Sequence, residues 1–197
     1  MNSLFKPETS ALVLIDFQVG VLQLVKTMPS DLALRNAVNL AKAATVLGMP
    51  VVLTCSQEDN IQGPLAASLQ HVLPEAYAKR VKRAGVVNAW NDENFKAAVE
   101  ATGRKQLVMT GITTDICLVF PSVSAVADGY QVQAVMDACG SPFEISEYTS
   151  RQRMEAGGVV LTATNTVIAE LVQDWSTPAG SILVQLLTAC APMQAVD

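Results

Sequence analysis

Short, unbroken apolar runs alternate along the chain with longer stretches whose apolar residues recur at helical spacing. Ala11-Leu-Val-Leu-Ile15 is continuous and rich in branched side chains, which predicts a strand buried on both faces. Asp31 to Leu47 has the apolar spacing of an amphipathic helix, with Ser30 or Asp31 as its cap and Gly48 as its stop. Pro50-Val-Val-Leu-Thr54 predicts a second strand. A short helix over Pro64 to Leu73 leads to a brief third strand within Lys79 to Arg83. Asp92 to Thr102 reads as a helix, with acidic residues in its first turn and Gly103 at its end. Strand four follows at Gln106 to Met109, and a helix carrying Cys117 comes after it. Strand five spans Gln131 to Met136. The remaining elements are a helix at Ile145 to Ala156 stopped by Gly157 and Gly158, a sixth strand at Val159 to Thr162, and a helix at Val167 to Trp175.

This alternation predicts the α/β class. Six strands form a three-layer, mostly parallel, Rossmann-like sheet with helices on both faces. No repeat, low-complexity segment or linker divides residues 1–197, so one domain is expected. In the tail, Ile182, Leu183, Leu186 and Leu187 have helical spacing. Residues from about 178 to 197 can pack on the chain's own core or on another subunit.

Composition narrows the function. Half the residues are hydrophobic and 16% are charged, against roughly 25% in an average domain. A surface this poor in charge suggests coverage by other copies of the chain, hence a homo-oligomer. The net charge is −5 and the basic residues are scattered, which argues against a nucleic-acid surface. The first ten residues contain no apolar h-region, and Ile182 to Met193 is too short and interrupted to span a bilayer, so a cytoplasmic protein without a membrane partner is expected. Cys55, Cys117, Cys139 and Cys190 are too widely spaced for a zinc or redox motif, and His71 is the sole histidine. No metal or other cofactor is expected.

In open parallel sheets, ligands bind beyond the carboxyl ends of the strands. Those ends carry Asp16-Phe17-Gln18, then Cys55-Ser56-Gln57, then Arg83, then Gly111 leading to Cys117, and finally Asp137-Ala138-Cys139. Cys117 is expected in the first turn of a helix, where unpaired N–H groups favour a thiolate. An inert core thiol is the competing reading. Asp16, desolvated at the end of an apolar strand, suits a general base for that thiol, or else a cap for the next segment. Pro121 denies the Cys117 carbonyl its usual helix partner, so the first turn should loosen there.

Three stretches together resemble the isochorismatase-like cysteine hydrolase superfamily, in its YcaC-like branch. They are Leu14-Ile-Asp-Phe-Gln18, Arg83 with Asn88-Ala-Trp90, and Gly111-Ile-Thr-Thr-Asp-Ile-Cys117. Similarity extends to Gly63-Pro-Leu65, Thr102-Gly-Arg-Lys-Gln-Leu107, Phe120-Pro-Ser-Val-Ser124 and Glu170-Leu-Val-Gln-Asp-Trp175. The resemblance implies a catalytic trio of Asp16, Arg83 and Cys117. Arg83 stands where the family usually has Lys, with Lys82 as the reserve. Arginine stays protonated, so its role would be electrostatic rather than proton transfer. The family sheet order places strands one and four side by side and strand three two places away, so Arg83 must cover roughly 10 Å of lateral offset. The resemblance also implies a cis bond between Ile112 and Thr113, and an oxyanion hole formed by the Thr113 and Cys117 N–H groups. It further favours a large ring-type assembly such as an octamer. The loop Ser56-Gln-Glu-Asp-Asn60 lacks the histidines of the metal-binding nicotinamidase-like relatives.

The expected function is therefore a metal-independent cysteine hydrolase acting on a small amide-like or related C–N substrate through an acyl-enzyme on Cys117. Phe17, Gln18 and Trp90 are candidate pocket residues, and for Trp90 a core position is equally consistent. A small-molecule-binding or redox-responsive oligomer of the same fold, with little turnover, is the alternative.

Overall fold

The structure is a computed structural model and describes residues 4–190. Six strands form a single all-parallel sheet in the order β3-β2-β1-β4-β5-β6. They are β1 (Ser10–Ile15), β2 (Val51–Ser56), β3 (Val81–Arg83), β4 (Gln106–Gly111), β5 (Gln131–Val135) and β6 (Val160–Thr162). Each of the six predicted strands is present. Every residue of β1 and β4 is buried, as their near-continuous apolar runs require at the centre of a sheet covered on both faces.

The helices are α1 (Ser30–Val46), α2 (Ala67–Val72), α3 (Pro74–Ala78), α4 (Glu93–Glu100), α5 (Val119–Ala127), α6 (Glu144–Ala156), α7 (Thr164–Val172) and α8 (Pro178–Cys190). The chain first winds outward from β1 to β3, then returns to β4 and winds the other way. Right-handed crossovers therefore place α1 on one face and α4, α5 and α6 on the other. After β6 the chain returns to the first face, where α7 and α8 pack against α1. Leu183 of the tail is buried, and Leu186 and Leu187 pack on the same core, so this part of the tail lies on its own domain. Residues 191–197 of the tail lie outside the described residues. Among the described residues no helix is long and apolar enough to cross a membrane.

Several boundaries differ from the sequence pattern for local reasons. Neither Ser30 nor Asp31 caps α1. Pro29 holds that position, and its carbonyl accepts from Leu32 and Ala33. Gly48 does end α1: at φ +64° it lets Met49 N–H reach the Ala44 carbonyl and its own N–H reach that of Thr45, closing the helix. Asp92 caps α4 by accepting from Phe95 N–H at 3.0 Å. Helix α7 stops at Val172, short of the expected Trp175, because Gln173 turns to φ +59°.

The direction of winding reverses between the parallel strands β1 and β4, with Ile15 level with Gly111. The two strand ends approach so closely that a Cβ on Gly111 would lie 3.0 Å from Ile15 Cβ and 3.1 Å from its carbonyl oxygen. Glycine lets the strand ends meet without displacing Ile15. Gly111→Ala is expected to destabilise the fold by about 1–3 kcal/mol, as overpacking of a tight core does. Urea unfolding of the two proteins measures it, and an unchanged midpoint would show that the strand ends can part freely.

Candidate active site

Asp16 follows the last residue of β1 and adopts φ +57°, a left-handed conformation that a non-glycine residue seldom takes. Its N–H donates to the Thr54 carbonyl on β2 at 3.0 Å, and its carbonyl accepts from Gln18 N–H at 2.7 Å. This turn ends the strand and keeps the carboxylate inside the molecule.

Arg83, the last residue of β3, reaches that carboxylate across the intervening β2. Its Nη2 bonds Asp16 Oδ1 at 2.5 Å and also contacts Oδ2. Nε donates to Thr54 Oγ1 at 3.1 Å and Nη1 to the Val86 carbonyl at 2.6 Å. The side chains are only 1% and 2% exposed, so water contributes little to either charge. Thr54 is thus a stepping stone beneath the guanidinium. Its place in an otherwise apolar strand was the sequence signal for that role, which was missed, as was that of the Val86 carbonyl. Lys82 does not substitute for Arg83. It points away, pairs with Glu58 and is 58% exposed.

Cys117 lies in a wide turn at Thr114–Leu118 that precedes α5, rather than in the first turn of an α-helix. Leu118 N–H reaches five residues back to the Thr113 carbonyl at 3.2 Å, and Cys117 N–H shares the same acceptor at 2.9 Å. The widening lies just ahead of Pro121, where loosening is expected. The Ile112–Thr113 peptide bond is cis, as the resemblance implies.

The thiol lies beside the Asp16 carboxylate, and both line the same cavity. Burial pushes the Cys117 thiol well above its ordinary range, and the adjacent Asp16 charge raises it further. The Thr113 hydrogen bond and Arg83 oppose this only in part. The expectation of a thiolate stabilised by a helix start is therefore corrected. The N–H groups of Cys117 and Leu118 already donate to Thr113, and the nearest full charge is negative. Burial likewise raises Asp16 above the usual carboxylate range, against the pull of Arg83 and the hydrogen bonds from Arg83 and Cys117.

These groups line a cavity of about 250 Å³. Gln18 and Thr113 line it with Asp16, Arg83 and Cys117, while Val21, Leu24, Val87 and Ile116 form an apolar side. Phe17 and Trp90 do not reach it. Phe17 is wholly buried in the core, and Trp90 packs edge-on against Phe95 and Tyr130 while donating to Asp128 at 2.8 Å. Gln18 contributes mainly as a brace. Its amide bonds Ser56 N–H and the carbonyls of Ser56 and Gly63, fixing the loop after β2. Cys55 and Cys139 bond elsewhere, Cys55 to Glu58 and Cys139 to the Met136 carbonyl, and burial helps push both up to about 12. Among the described residues no cluster of three or more His, Cys, Asp or Glu side chains is placed to hold a metal ion.

An Isochorismatase domain matches residues 10–166. The chain is 36% identical over 166 residues to "Probable hydrolase YcaC" of Escherichia coli K12, covering 84% of this chain and 79% of that one. The structure of YcaC from Pseudomonas aeruginosa with hexane-2,5-diol and covalent acrylamide superposes with a TM-score of 0.90 at 34% identity, covering 96% of this chain and 95% of the other. E. coli YcaC, described as an octameric hydrolase of unknown specificity, gives a TM-score of 0.87 at 33% identity, with 96% and 97% covered. With the fold, the strand order and these matches in agreement, the chain belongs to the isochorismatase-like hydrolase family, on its YcaC-like branch.

Proposed function

We propose that the protein is a metal-independent cysteine hydrolase of small amide-like substrates, with Cys117 as nucleophile and Asp16 as general base. The observation that carries this reading is the Cys117 thiol lying beside a buried carboxylate that Arg83 clamps, with all three groups lining one cavity. A space of about 250 Å³ equals that of about eight waters at roughly 30 Å³ each, which suits a substrate of few heavy atoms.

The resting thiol is protonated, so the nucleophile must form as attack begins. Asp16 takes the Sγ proton while Sγ bonds to the carbonyl carbon, and the displaced electron pair moves onto oxygen. The oxyanion is held by the Thr113 N–H. The Cys117 N–H joins it by sharing or releasing its bond to the Thr113 carbonyl. When the intermediate collapses, the C–N bond breaks and Asp16 returns the proton to the leaving nitrogen. Water then gives a proton to Asp16 and its oxygen to the thioester carbon; the C–S bond breaks, Asp16 returns the proton to Sγ, and the acid is released. Every guanidinium nitrogen of Arg83 already has a partner, so Arg83 acts as a positioning residue that fixes Asp16. The acrylamide held covalently by the P. aeruginosa relative supports a reactive nucleophile and an amide-sized pocket.

A ligand-binding protein with little turnover draws support from the elevated thiol. Redox sensing draws none, since Cys55 and Cys139 donate away from Cys117. The octameric E. coli relative and the charge-poor composition support a homo-oligomer.

Turnover of a panel of small amides should fall at least about a thousandfold in Cys117→Ala, as loss of a nucleophile does elsewhere. Intact-mass analysis should show a transient acyl adduct only on the wild type. Equal turnover in both proteins would refute the mechanism. The acid limb of kcat/KM should lie above the ordinary Asp value of about 3.9, because ionised Asp16 is required and burial raises it. A limb at or below that value would contradict the assignment. Asp16→Asn removes the negative charge beside Cys117 and leaves Arg83 positive. Its thiolate absorbance should therefore titrate at lower pH than in the wild type, while turnover falls by about 10²–10⁴, with near-UV circular dichroism confirming the fold. A higher or unchanged titration midpoint would show that Asp16 is not what holds the thiol proton.

A further inference from the structure

Gln62 lies in the loop after β2 and lines the same cavity. Its Oε1 is a buried acceptor with no hydrogen-bond partner among the described residues. Buried acceptors are seldom left so, because losing water without a replacement partner is costly.

The orientation of this amide follows from its neighbours. Gln57 Nε2 donates to the Ala84 carbonyl at 3.1 Å, which can only accept, so Gln57 Oε1 must face the other way as an acceptor. That oxygen takes Gln62 Nε2 at 3.2 Å and Asn60 Nδ2 at 3.4 Å. One hydrogen of the Gln62 amide nitrogen is thereby committed, which fixes the orientation of the amide and leaves its oxygen as the unpartnered buried acceptor. The backbone is fixed as well. Gly20 N–H donates to the Gln62 carbonyl at 2.9 Å, and Gln18 Nε2 donates to that of Gly63 at 2.5 Å. Gln62 is thus held at both ends before any ligand arrives.

The neighbouring amides and the guanidinium are already paired. Both ends of the Gln18 amide are bonded, the Gln57 amide is bonded, and the guanidinium nitrogens of Arg83 have partners. Resting on the hydrolase reading, we infer that Gln62 determines specificity by accepting an N–H from the substrate, which makes the substrate a primary or secondary amide or ureide. Esters and tertiary amides offer no such hydrogen and leave Oε1 buried and unpaired. A carboxylate does the same and also meets the charge of Asp16. Sites built to bind a substrate N–H discriminate strongly against analogues without one. The apolar side formed by Val21, Leu24, Val87 and Ile116 leaves room for a short hydrocarbon portion.

The test uses three probes of Cys117: acrylamide, methyl acrylate and N,N-dimethylacrylamide. Each adds across its double bond, so Sγ bonds to the terminal carbon, the thiol proton ends on the adjacent carbon and nothing leaves. Intact-mass kinetics give each labelling rate, which is divided by the same reagent's rate with glutathione. The wild type should favour acrylamide over the other two by about tenfold or more. Gln62→Met, similar in size but without the amide, should bring the normalised ratios near one. Gln62→Glu, which retains an acceptor oxygen, should keep a preference for acrylamide. Labelling of Cys117 with no such preference in the wild type, or with the preference intact in Gln62→Met, overturns the role of Gln62 alone. Absence of Cys117 labelling by all three reagents overturns the nucleophile, and the assignment of Gln62 with it.

Discussion

The site depends on one buried ion pair. Asp16 and Arg83 come from strands that are not neighbours, and the guanidinium crosses β2 to reach the carboxylate. Taking two charges out of water costs several kcal/mol per ion unless the remaining donors and acceptors are satisfied. Thr54 and the Val86 carbonyl meet that demand for Arg83. The pair also explains the left-handed backbone at Asp16. Such a conformation costs of order 1–3 kcal/mol and persists only where its surroundings enforce it. Here β2 holds the Asp16 N–H and Arg83 holds the side chain.

The clamp sets the chemistry of Cys117. A carboxylate fixed beside a buried thiol disfavours the thiolate in the resting protein, and in the proposed mechanism the same carboxylate is the base that removes the proton on attack. In that mechanism the reactive thiolate forms only as an electrophile seated in the cavity is attacked. An arginine at position 83 fits this division of labour. It cannot carry a proton at any useful pH, but its planar fork holds a carboxylate in place better than an ammonium can.

The fold was largely legible in the sequence because a doubly covered parallel sheet writes itself as short apolar runs. The run Ala11 to Ile15 and the polar residue that ends it located both the central strand and Asp16. The convergence of Asp16, Arg83 and Cys117 followed from reading strand ends, and resemblance to the family supplied the strand order. What failed depended on side-chain contacts. Trp90 looked like a pocket aromatic, yet its indole is turned inward between Phe95 and Tyr130 by a bond to Asp128, a partner far away in sequence. Phe17 alternates with its neighbours at the strand end and points into the core. The thiolate expected at a helix start did not survive the wide turn, whose N–H groups close on Thr113. Gln62 carried no signal, since its orientation is set by a network with Gln57 and Ala84 that only the folded loop creates.

The central claim is that the resting site is a thiol donating to an Arg83-held carboxylate. Neutron diffraction from crystals grown near neutral pH and exchanged into heavy water locates that hydrogen directly. A deuteron on Cys117 Sγ directed at Asp16, with both carboxylate oxygens bare, is the predicted result. A deuteron on the Asp16 carboxyl beside a bare sulfur would contradict the account.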